Sequence, residues 1–132
     1  MSALLNISEA VSLAWYGLNK ISDQAPRKVN IKQLAEQLNA SEAHLAKIFQ
    51  RLTKSGIVKS FRGPAGGFIL NKPASEINFL DIYETIDARI NPHGCPLGRS
   101  SCPFSGCIYN DRLSNLTHEI YDTFKNLKLS EN

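Results

Sequence analysis

Apolar positions recur at helical spacing through most of the chain. Ile7, Ala10, Val11, Ala14, Leu18 and Ile21 predict a first helix over 7–22. Asn6 is placed to cap it, with Glu9 three residues on as the second half of a capping box. Pro26 marks a loop over 24–29. Asn30 caps a second helix from Ile31, which turns Leu34, Ala35 and Leu38 inward before Asn39 and Ala40 break it. Ser41 caps a third helix with Leu45, Ile48, Phe49 and Leu52 on one face, and Gly56 ends it as a left-handed glycine does. Two short helices joined by a tight turn make a helix-turn-helix candidate.

The period then changes. Residues 57–61 and 68–70 read as strands around a turn containing Arg62, Gly63, Pro64 and two further glycines, which predicts a β-hairpin placed as a wing. Asn78 caps a fourth helix with Phe79, Ile82, Tyr83 and Ile86. From 91 to 107, prolines and glycines, Pro96 and Gly98 among them, exclude regular structure. A last helix begins near Ile108 or Asp111. Its Leu113, Leu116, Ile120 and Leu127 fall near a heptad seam, with Phe124 beside it. That helix has no evident packing partner within the chain, so a second subunit is expected to supply one. The expected fold is mainly α with one small hairpin: a winged helix-turn-helix unit over 1–90, a cysteine-rich loop over 91–107, and a dimerisation helix and tail over 108–132.

Charge sharpens this picture. The chain of 132 residues carries only +3 overall. Residues 27–62, however, hold eight Lys and Arg against Glu36 and Glu42 alone, a local net of +6. Such asymmetry fits a polyanion, though a merely solvated helix face has the same composition. No long apolar run or basic-then-apolar leader is present, so a cytoplasmic protein without a membrane span is expected. Nor is there a nucleophile–base pair or phosphate-cradling loop near the chain's three cysteines, which argues against an enzyme.

Ser41, Ala43, His44, Lys47 and Gln50 lie away from the apolar face of the third helix, where its N-terminus can enter a major groove. Lys32 adds a positive charge on the second helix. Arg62, among the small residues of the wing, can reach a phosphate or a minor groove. A plain surface histidine and an ordinary hairpin loop are the simpler readings of His44 and the wing. The three cysteines, Cys95, Cys102 and Cys107, share one short stretch, and their odd number excludes full internal pairing. Soft thiolates on a loop suit an iron–sulfur cluster, a zinc ion or a bare thiol switch.

The run from Leu45 to Val58, followed by Arg62-Gly63-Pro64-Ala65-Gly66-Gly67-Phe68, resembles the Rrf2-type bacterial regulators. Iron–sulfur cluster regulators and nitric-oxide-sensing repressors belong to that family. The segment 77–86, the cysteine loop and the terminal helix fit as well. The resemblance implies a homodimer whose last helices cross, bound to a palindromic operator in double-stranded DNA. Positions matching the family's DNA contacts are Ser41, Ala43, His44, Arg62 and Pro64. Members often carry Tyr at the position of His44 and Ser at that of Ala43, so the preferred DNA sequence is expected to differ.

The resemblance also implies a redox-, nitric-oxide- or iron-responsive cluster, 2Fe–2S or 4Fe–4S, on Cys95, Cys102 and Cys107. A histidine that serves some members as fourth ligand is replaced here by Asn110. Glu9 matches an acidic ligand that other members donate from the opposite subunit. His93 is the alternative and His118 a more distant one. If the basic segment is the DNA face, affinity for a duplex falls steeply with salt, with a log–log slope of about −0.9 per phosphate neutralised. Fluorescence anisotropy across a salt series checks this, and a flat dependence would exclude the basic segment.

Overall fold

The computed structural model describes residues 5–95, 97 and 101–129. Pro96 and Gly98 of the loop lie outside these, as do the ends of the expected first and last segments. Helix α1 (Glu9–Gln24) starts two residues later than its periodicity suggests. Ser8, not Asn6, is its cap: the Ser8 Oγ accepts from the Val11 N–H at 3.2 Å. The same hydroxyl donates to Asp87 Oδ1 at 3.1 Å, a partner 79 residues away that the local pattern does not reveal. Glu9 is thus the first helical residue rather than half of a capping box.

The next two caps form as local chemistry dictates. Asn30 and Gln33 exchange hydrogen bonds in a full capping box at the start of α2 (Ile31–Leu38). Asn39 then turns left-handed, and the Ser41 Oγ accepts from the His44 N–H to begin α3 (Glu42–Lys54). Helix α3 buries Leu45, Ile48, Phe49 and Leu52. It can approach α1 so closely because α1 carries Gly17. A Cβ at Gly17 would stand 2.8 Å from Phe49 Cζ and 3.2 Å from Leu34 Cδ2. Gly56, at φ 83°, ends α3.

Strands β1 (Val58–Phe61) and β2 (Gly67–Leu70) pair antiparallel, Val58 opposite Leu70 and Phe61 opposite Gly67. Val29 extends this ribbon through reciprocal backbone bonds with Phe68 at 2.9 and 3.1 Å. The hairpin is thereby tied to the start of α2. After a short 3-10 turn (Ala74–Glu76), α4 (Phe79–Ile86) begins at the cap Asn78, whose side chain accepts from the Asp81 N–H at 2.8 Å.

The terminal helix α5 (Arg112–Asn126) departs from the heptad expectation. Phe124 is no bystander: it is buried, its ring 4.7 Å from Phe79 and 5.6 Å from Tyr83. Phe79 in turn meets Trp15 edge-on at 5.2 Å, so one aromatic chain joins α1, α4 and α5. Beyond the helix, the Phe79 N–H donates to Leu127 O, and the Leu129 N–H donates to Ile77 O. The C-terminal half of α5 therefore belongs to the core of its own chain, whereas Leu116 toward the other end stays 53% exposed. Among the described residues no helix is long and apolar enough to cross a membrane.

Truncating Phe124 removes a buried aromatic from the contact that anchors α5. Phe124→Ala should cost about 3 to 5 kcal/mol in urea unfolding. A cost below about 1 kcal/mol would mean that α5 does not pack on α4.

Candidate nucleic-acid interface and cysteine loop

Burial of one side of α3 forces its other side outward. Ser41, Ala43, Lys47 and Gln50 are exposed and His44 half-buried. The first-turn amides of α3 point away from the helix body, as an anion-accepting helix start does. Between α3 and the hairpin runs an open groove of about 850 Å³, lined by Lys47, Gln50, Arg51, Lys54, Arg62 and Phe68 among others. Four cations and no carboxylate face this concavity. Concave low-dielectric walls of one sign concentrate the potential that attracts a polyanion. The structure thus brings the predicted Lys47 and Arg62 together. It sets Ser41, Ala43 and His44 at the adjoining end of α3. Lys32 and Pro64 are exposed but lie outside the groove lining.

Sequence reasoning missed three contributions. Arg51 counted only as part of the basic segment, yet its Nη2 donates to Thr85 O at 2.7 Å. It therefore satisfies a carbonyl in the last turn of α4, where orphan carbonyls gather. No local pattern marks a partner 34 residues away. The ammonium groups of Lys28 and Lys59 lie 4.4 and 5.6 Å from the centre of the Phe61 ring, at the turn end of the hairpin. Here a signal existed, because Lys59 and Phe61 are two apart on one strand face.

Glu9 stands beside the recognition side of α3. Its Oε1 is 3.8 Å from His44 Nδ1, with the Glu9 side chain 79% exposed and that of His44 41% exposed. So exposed a pair binds weakly and can part. The loop after α4 is anchored by three side chains: Ser8 on Asp87, Arg51 on Thr85, and Glu84 Oε2 accepting from the Ile90 N–H at 2.9 Å. The end of α4, from which the cysteine loop departs, therefore touches α1 and α3 directly.

Cys95, Cys102 and Cys107 are free and exposed. All three line a single hollow of about 390 Å³, together with His93, Phe104 and Tyr109 among others. Among the described residues, no three His, Cys, Asp or Glu side chains converge tightly enough to hold a metal ion as they stand. The structure thus gathers the thiols and His93 around one space, while Glu9 of the same chain lies beside His44 instead.

Residues 7–131 match the Rrf2 family, described as iron-dependent transcriptional regulators. The chain belongs to the Rrf2 family. IscR of Pectobacterium atrosepticum is 33% identical over 104 residues, covering 78% of this chain and 63% of that protein. IscR of Photorhabdus laumondii is 36% identical over 93 residues, covering 70% and 52%. The chain therefore spans about half to two thirds of the length of these curated relatives. Among solved structures, CymR, the global cysteine regulator of B. subtilis, superposes with a TM-score of 0.76 at 21% identity, covering 97% of this chain and 95% of that one. T. potens IscR gives 0.76 at 22%, covering 97% and 85%. The family is one of transcriptional regulators, and the chain shares the fold of these solved neighbours.

Arg62 is the exposed cation contributed by the wing turn to the groove of this Rrf2 protein. Arg62→Ala should weaken duplex binding by about 1 to 3 kcal/mol. If it contacts a phosphate, the salt slope should also shrink by about one. Unchanged affinity and slope in anisotropy titrations would remove the wing from the interface.

Proposed function

We propose that this Rrf2 regulator binds a palindromic operator in duplex DNA as a homodimer in the cytoplasm, with an iron–sulfur cluster in the cysteine loop gating its affinity. The observation that carries the gating is the gathering of Cys95, Cys102 and Cys107 around one hollow, in a chain of a family described as iron-dependent. Residues 1–90 do the reading, 91–107 the sensing, and 108–132 the pairing with a second subunit. On this reading Ser41, Ala43, His44 and Lys47 address the major groove. Arg62 and Pro64 place the wing on the minor groove or backbone, and Lys32 meets a phosphate.

The donor set suits the cluster. Three exposed thiols that line one hollow offer soft ligands of the kind a cluster takes. A cluster bound there supplies sensitivity to redox state, nitric oxide or iron supply. The protein's part is mechanical. Thiolates held together constrain the loop, and the loop root pulls on Asp87 and Thr85, which Ser8 and Arg51 grip. Arg51 passes the strain into α3.

Glu9 of the partner subunit is the proposed fourth ligand. A Glu9 drawn to that site leaves His44 of its own α3, so ligand occupancy and the reading helix share one carboxylate. A two-state shift of about 2 to 3 kcal/mol along this path changes operator affinity roughly 30- to 150-fold.

One observation favours a second reading. The related fold of Staphylococcus aureus CymR was solved in an oxidised form, at a TM-score of 0.74 and 21% identity. Three exposed thiols serve a cluster-free thiol switch, or zinc, on the same scaffold. Anaerobic purification with an absorption spectrum and iron, sulfide and zinc analysis separates the readings. The proposal expects visible absorption with matched iron and sulfide, lost in Cys95→Ala together with the change in operator affinity. Colourless protein holding zinc, or no metal after cluster reconstitution, would replace it with the second reading.

A further inference from the structure

The cysteine hollow has a more polar neighbour. Pro92, His93, Asp111, Ser114, Asn115 and His118 line a hollow of about 580 Å³, which shares His93, Asp111 and Ser114 with the first. Positions 111, 114–115, 118 and 122 succeed one another in steps of three and four, so the start of α5 presents one polar stripe. The His118 ring in this stripe lies 5.5 Å, centre to centre, from the ring of His93 across the hollow, their planes inclined by 29°. Its Nε2 is 3.4 Å from Asp122 Oδ2. The DNA groove makes no use of this arrangement, and the thiol hollow reaches it only through the shared His93, Asp111 and Ser114.

We infer that His93 and His118 form the core of a site for a borderline divalent metal ion, of the zinc type, that adjoins the thiol site. Two imidazoles sharing one tetrahedral cation at about 2.1 Å have ring centres roughly 5 Å apart, close to the spacing found. Asp122, 3.4 Å from Nε2, is near enough to engage that nitrogen, which leaves the Nδ1 lone pair of His118 as the donor. A carboxylate backing a ligand imidazole is the usual outer support of such metals. Asp111 is the third donor: it lines the same hollow, and its side chain makes no capping bond to α5. The two rings lie near-parallel at 5.5 Å, so rotation of these side chains and of Asp111, with water, completes the set.

Nitrogen and oxygen donors of this kind suit a borderline cation, while the neighbouring thiols suit softer partners. An ion held here ties the loop start to α5. It also assigns His93 to this ion rather than to the fourth position of the thiol site.

The test uses the full chain, free of any affinity tag, with Cys95, Cys102 and Cys107 all replaced by Ser so that thiols cannot compete. Because these cysteines are exposed, the replacement should leave the fold intact, which circular dichroism verifies. Wild-type protein with alkylated thiols serves as a second background. Cobalt(II) should bind at one equivalent with visible absorption, be displaced by zinc, and broaden the proton resonances of His93 and His118. His93→Ala and His118→Ala should each weaken binding more than tenfold, and Asp122→Asn about tenfold. Absence of saturable binding in both backgrounds, or binding that survives the double His93→Ala, His118→Ala variant, would overturn the inference.

Discussion

Everything functional in this molecule depends on the burial of one side of α3. Leu45, Ile48, Phe49 and Leu52 are drawn from water against α1, and Phe49 closes on the bare backbone at Gly17. Once that side is fixed, geometry leaves little freedom for the other. The polar positions must face outward, and the hairpin, braced by the Phe68 ring at 5.3 Å from Phe49, must stand beside them. The cationic groove between helix and hairpin is thus a by-product of core packing. Its rigidity comes from the core, and its charge from residues that the core excludes.

The same core reaches the cysteine loop by a short route. The aromatic chain from Trp15 through Phe79 to Phe124 sets α4 and α5 against α1, and the cysteine loop spans the gap between those two helices. At the near end of the loop, Arg51 belongs both to the groove lining and to the end of α4. A single guanidinium thus links the surface proposed to read DNA with the helix end from which the segment proposed to sense departs. Coupling through packed elements with bonded junctions needs no large motion, because cores rearrange in discrete steps rather than deforming smoothly.

Much of this was legible in the residues. The caps Asn30, Ser41 and Asn78 act on amides three positions on, so local chemistry decides them and the structure agrees. The hairpin was legible for the same reason. What failed was non-local. The local pattern points to Asn6 as the first cap, but Ser8 holds that place and is bonded to Asp87, 79 residues away. Phe124 read as a neighbour of a heptad seam because Phe79, its partner, is far away in sequence, and the periodicity of a helix tells which face is apolar but not what covers it. For the sensing site, residue type was legible and shape was not. Three cysteines announce sulfur chemistry, but only the path of the loop shows that they share a hollow with His93.

The account turns on the exposed side of α3 and the wing being the surface that takes a duplex. Hydrogen–deuterium exchange, comparing the free chain with its complex on a fragment that it retains from genomic DNA, probes that surface directly. Slowed exchange concentrated at 41–51 and 61–68 is the predicted result. Unchanged exchange there, with protection confined to α5 or the outer side of α1, would contradict the account.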